Sequence, residues 1–181
     1  MGKLITMLKL ARDYHAAVHA AATLIISGEE EAQLTTPTSN LLIGLSKAAK
    51  FGALRLIRET RLDRTRPDFA AVLTRNGEAR QKGFIELKAP SVSVDAWSWS
   101  GRNARQWANM HREARVLIVS NGVRAQFYRD GEPIGDPAAL PYAESEQWDP
   151  AALIHLLRCF FDLTQGGQRP RSAHPSNDAN A

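Results

Sequence analysis

Arg66-Pro67-Asp68-Phe69-Ala70-Ala71-Val72-Leu73 and, after a short interval, Gly83-Phe84-Ile85-Glu86-Leu87-Lys88-Ala89-Pro90 decide how this chain is read. Successive side chains of a strand point to opposite faces. Ile85, Leu87 and Ala89 therefore share an apolar face that suits a core, while Phe84, Glu86 and Lys88 share the other. Asp68 opens the neighbouring strand, 18 positions upstream of Glu86. If the two strands pair antiparallel, both carboxylates approach one point on the polar face. Asn76-Gly77 between them is a strong hairpin signal, in a loop expected to exceed two residues. Two oxygen ligands completed by water suit Mg2+, with Mn2+ as a substitute. Such an ion polarises a phosphoryl oxygen and lowers the pKa of a bound water. Lys88 would orient that water or offset charge developing on a phosphate. The plain alternative is a half-exposed strand carrying a solvent-facing Glu–Lys pair. Pro67-Asp68 at a hairpin's distance favours the site.

Outward from this block, the period of the apolar residues changes. Residues 3 to 26 read as a helix, with Leu4, Met7, Leu8, Ala11, Tyr14, Val18, Ala21, Ala22 and Ile25 at three- and four-residue steps and Ser27-Gly28 ending it. An acidic patch at Glu29, Glu30 and Glu31 and a polar stretch follow, and a second helix is expected to start near Pro37–Asn40 and end by Gly52. Strands are expected at about 53–60, 68–74 and 83–89, then a helix at 101–113. Val116–Ser120, Ala125–Tyr128 and Pro133–Ile134 form a hairpin or meander, and 150–164 a closing helix with Leu153, Leu156, Leu157, Phe160 and Phe161 buried. This order predicts an α/β (α+β) fold with a mixed central sheet flanked by helices. Three parts are expected: a helical part at 1–52, a core with its closing helix at 53–164, and a disordered polar tail at 165–181.

Composition narrows the function classes. The chain has 181 residues, 44% hydrophobic and 23% charged, which is ordinary globular usage. Lys and Arg number 23 against 19 Asp and Glu, a net charge of +4 that permits a polyanionic partner. Single Cys159 rules out an internal disulfide or Cys-cluster metal site and is expected to be a buried, inert thiol. No run approaches the ~20 apolar residues of a membrane span, so a soluble, cytoplasmic protein is expected. His15 and His19 sit four apart without the rest of a zinc-protease motif and read as an ordinary helix pair. Trp97 and Trp99 are expected to fold over the core edge rather than stack on bases. Arginines crowd the proposed site. Among them Arg66, two before Asp68, and Arg102 and Arg105, on the helix after the second strand, are candidate phosphate contacts. No Gly-rich phosphate loop or GxSxG motif is present.

The combination Arg66-Pro67-Asp68 … Ile85-Glu86-Leu87-Lys88 resembles the signature of the PD-(D/E)xK nuclease superfamily, the restriction-endonuclease-like fold. The stretch from about Leu54 to Pro133 is similar to the nuclease-like module of bacterial adenine-specific DNA methyltransferases and type I-like or type ISP restriction enzymes. RPDFAAVL, GFIELKAP, GRNARQW, LIVSNG and AQFYRDGEP carry that likeness. The resemblance implies Asp68 and Glu86 as metal-binding acids, Lys88 as the catalytic lysine and Gln106 as a glutamine beside the site, with Glu59 as an accessory acid. It implies a Mg2+-dependent DNA endonuclease of a restriction-modification or related defence system. DNA, a methyltransferase or motor subunit and a second copy of the chain are the implied partners. The glycine-rich cofactor loop and Asn-Pro-Pro-aromatic motif of a methyltransferase are absent. The alternative is therefore a non-catalytic DNA-binding or assembly module, a fragment of a split system.

Overall fold

A computed structural model of the protein describes residues 2–23, 30–58, 60–142, 148 and 150–162. Helix α1 (Gly2–Thr23) packs against α2 (Glu30–Ala48), then β1 (Ala53–Arg58), β2 (Phe69–Arg75) and β3 (Glu78–Leu87) form an antiparallel meander. A short 3-10 turn (Ala96–Ser98) and α3 (Gly101–Glu113) lead to β4 (Val116–Ser120), which lies parallel to β3. Parallel neighbours need a crossover connection, and this one carries α3 to the opposite side of the sheet from α1 and α2. Strands β5 (Arg124–Arg129), β6 (Glu132–Pro133) and β7 (Ala138–Ala139) complete a seven-stranded mixed sheet, and α4 (Pro150–Asp162) closes the described chain.

Two cores result, one per face. Leu41, Leu45, Leu153 and Phe160 from the helices meet Phe69, Leu73, Ile85, Leu87 and Ile118 on one face. Trp107 and Met110 of α3 meet Ala70, Phe84, Leu117, Val119 and Tyr128 on the other. The face bearing Glu86 and Lys88, read from the sequence as polar, is therefore covered as well.

Three expectations are corrected. Helix α2 begins at Glu30 and contains Pro37. Glu30 and Glu31 form its first turn, where carboxylates complement the helix dipole. The β2–β3 connection is only Asn76-Gly77, both at positive φ (52° and 80°), as a tight two-residue hairpin requires. Cys159 is half-buried, its Sγ 3.6 Å from His155 Nε2. Strand β7 had no counterpart in the sequence reading. Glu59 and the 165–181 tail lie outside the described residues. Among the described residues no helix is long and apolar enough to cross a membrane.

Candidate active site

The β2–β3 register sets the site. From the turn, Arg75 pairs with Glu78 and Val72 with Gln81, but Ala71 pairs with Gly83, so Lys82 is an extra residue. Beyond this bulge Phe69 faces Ile85, and the register carried one step further sets Asp68 against Glu86. Without the extra residue Asp68 would align with Ile85, on the wrong face, because a one-residue slip inverts every side chain.

Asp68 is half-buried and its Oδ2 accepts the Leu87 backbone N–H at 2.6 Å. Glu86 and Lys88 are 2% and 3% exposed, so this acid and ammonium pair is shielded from water. Lys88 Nζ donates to Glu86 Oε1 at 2.6 Å and to Gln106 Oε1 at 3.2 Å. Gln106 reaches in from α3 and its Nε2 donates to the same Glu86 Oε1 at 2.5 Å. Its amide thus bridges the two ends of the ion pair. Burial pushes the Glu86 carboxyl up to about 7, an effect countered by Lys88 and reinforced by Asp68. Burial also raises the Asp68 carboxyl, against the pull of the Leu87 N–H and Lys88.

The second carboxylate oxygen tests whether a metal ion fits. Glu86 Oε2 is buried and has no hydrogen-bond partner, although a buried acceptor ordinarily finds one. A divalent cation between it and Asp68 would satisfy that oxygen. Among the described residues no three His, Cys, Asp or Glu side chains form a ligand cluster. The protein thus offers two carboxylates, which matches the habit of Mg2+ to retain several waters. The donors present fit the ion.

Asp68, Glu86, Lys88 and Gln106 are therefore brought together. Arg66, Arg102 and Arg105 are all exposed. Arg66 lies just before Asp68, and Arg102 one turn before Gln106 on the same side of α3. Two neighbours of the site escaped the sequence reading. Glu31 of α2, half-exposed, places Oε1 3.8 Å from Lys88 Nζ. Its signal was the acidic run that proved to be a helix start, but nothing local links it to a lysine 57 positions away. Trp99 sets its ring centroid 5.5 Å from the same ammonium. Trp97 and Trp99 do fold back, both edge-on to Trp107. His15 Nδ1 and His19 Nε2 face the Tyr142 carbonyl oxygen at 2.8 and 3.2 Å, as an ordinary helix pair.

No protein-family model matches the chain, and no curated protein matches it in sequence. Among solved structures, the cryo-electron microscopy structure of a DrdV–DNA complex is similar, with a TM-score of 0.59 at 18% sequence identity. The match covers 86% of this chain and 14% of that one, so the chain spans about a seventh of its neighbour's length. At this identity the likeness is one of fold: a mixed α/β sheet flanked by helices, the restriction-endonuclease-like architecture.

Proposed function

We propose that this chain is a metal-dependent DNA endonuclease of a restriction-modification or related defence system, hydrolysing phosphodiester bonds at Asp68, Glu86 and Lys88. The observation that carries the reading is the partnerless, buried Glu86 Oε2 beside Asp68, in reach of a lysine. Asp68 and Glu86 would hold Mg2+ or Mn2+, which when bound supplies Lewis-acid polarisation of the phosphate and a more acidic water. Lys88 presents a desolvated ammonium to the developing phosphate charge, where the low dielectric strengthens its effect. Gln106 keeps the Glu86 carboxylate and the Lys88 ammonium in one orientation. Arg66, Arg102 and Arg105, exposed on the elements that carry the site, would take backbone phosphates. The DNA in the DrdV complex supports nucleic acid as the partner.

A second reading has its own support. The similar structure holds DNA, which suits a non-catalytic DNA-binding or assembly module as well as it suits a nuclease. Incubation of purified protein with supercoiled plasmid and Mg2+ or Mn2+ separates the two. Nicking or linearisation that is lost with a chelator and in Lys88→Ala supports the nuclease. Salt-sensitive DNA binding without cleavage supports the module, and neither activity would sink both.

A further inference from the structure

Lys88 Nζ has one aromatic partner beside its charged and amide ones. Residues 89–100 leave the end of β3 as a strap that is tied down along its length. Asn121 Nδ2 donates to the Val92 carbonyl at 2.8 Å, and Tyr128 Oη donates to Val94 O at 2.6 Å while accepting the Ala96 N–H at 2.7 Å. At the end of this strap Trp99 is fixed from two sides. Its Nε1 donates to Ser93 O at 2.7 Å, and its ring meets Trp107 at 6.2 Å and 74°. The ring so held lies over the Lys88 ammonium.

We propose that Trp99 is a positioning residue for Lys88 alongside Gln106, its indole face holding the ammonium beside the carboxylates when Glu86 is committed to a cation. The inference rests on the nuclease reading of Lys88. In the state described, Glu86 Oε1 is the nearest partner of the ammonium. A divalent ion on the same carboxylate would drain that attraction and repel the lysine. Glu31 at 3.8 Å is half-exposed, so its pull is screened by water. The attraction of an indole face for a cation comes from the ring quadrupole and is strongest where both are desolvated. It does not depend on the charge of Glu86. Trp97 provides the internal comparison. It packs on the same Trp107 at 5.6 Å and donates to Gly131 O, but its ring neighbours His111 instead of the lysine.

Two arms test this. In the first, plasmid cleavage is measured for Trp99→Leu, Trp99→Phe and Trp97→Phe. Trp99→Leu should lower kcat about tenfold with KM for DNA little changed, Trp99→Phe should lose clearly less, and Trp97→Phe should match wild type. Wild-type kcat in Trp99→Leu, or equal losses in both Trp99 variants and Trp97→Phe, would overturn the proposal and leave the nuclease reading standing. The second arm needs no activity. Indole N–H resonances are recorded for wild type and Lys88→Met, with Lys88→Gln as the substitute if the first does not fold, and Trp99 is identified by its loss in Trp99→Phe. The Trp99 signal should shift more than those of Trp97 and Trp148. If it does not, the contact and the proposal both fail. A wild-type protein that never cleaves DNA removes the nuclease reading, and with it the positioning role, even if the resonance shifts.

Discussion

Gln106 donates its amide Nε2 to Glu86 Oε1 at 2.5 Å while its Oε1 receives Lys88 Nζ at 3.2 Å, so one side chain of α3 locks the acid near the end of β3 to the ammonium just beyond it. Hydrogen bonds to buried charges contribute about 1.5–3 kcal/mol each. Gln106→Leu should therefore lower stability by about 1–3 kcal/mol in urea denaturation. It should also lower cleavage about 10- to 100-fold, the usual cost of losing a supporting partner. Gln106→Glu can still accept from Lys88 but cannot donate to Glu86, and should rescue neither property fully.

The Glu86 carboxyl supplies a pH dependence. Burial raises it from 4.5 to about 7, so across that window the folded chain keeps a proton that the unfolded chain has released. Stability from this group is complete below about 4.5 and is lost as pH rises through about 7. The raised Asp68 carboxyl acts in the same sense. Glu86→Gln should gain stability relative to wild type as the pH is raised from 5 to 8, measured by denaturation midpoints. A difference that stays flat across this range would contradict the burial argument.

Divalent cations should oppose this loss. At about 100 times its dissociation constant, an ion that binds only the folded state adds about 2.7 kcal/mol, which corresponds to about 5–10 °C in Tm for a chain of this size. Mg2+ at pH 8 should raise the Tm of wild type, and Asp68→Asn or Glu86→Gln should lose most of that rise. An unchanged rise in both variants would place the ion elsewhere.

Gly83 sits directly after the bulge, where a Cβ would lie 2.6 Å from the Val116 carbonyl oxygen and 2.9 Å from the Phe160 ring. Neither the backbone of β4 nor a ring buried at 1% exposure can yield easily. Gly83→Ala should cost about 1–3 kcal/mol through overpacking, read as a lower denaturation midpoint, and should weaken the registration of Asp68 with Glu86.

Much of the fold was legible because its elements declare themselves locally. The helix at 101–113 and the strand at 116–120 have the bounds expected from periodicity, and the alternation in Gly83–Ala89 correctly assigned the faces of Glu86 and Lys88. The start of α2 was misplaced because Pro37 and the polar residues before it weigh against helix locally, whereas burial of Leu34, Thr35, Thr38 and Leu41 in the fold outweighs them. Glu31 and Trp99 could not be placed, since their neighbour Lys88 is reached only through packing of α2 and the strap.

The sequence by itself determined the chemical inventory: two carboxylates, a lysine and an amide, with Asp68 and Glu86 placed at adjacent strands. Tertiary structure alone decided that the bulge at Lys82 turns the two acids to one face. It also decided that α3 sets Gln106 against Glu86 and that Glu86 Oε2 is left without a hydrogen-bond partner. The physical reason is that side-chain type and alternation are local properties of a chain. Register, burial and dielectric belong instead to segments that meet only when it folds.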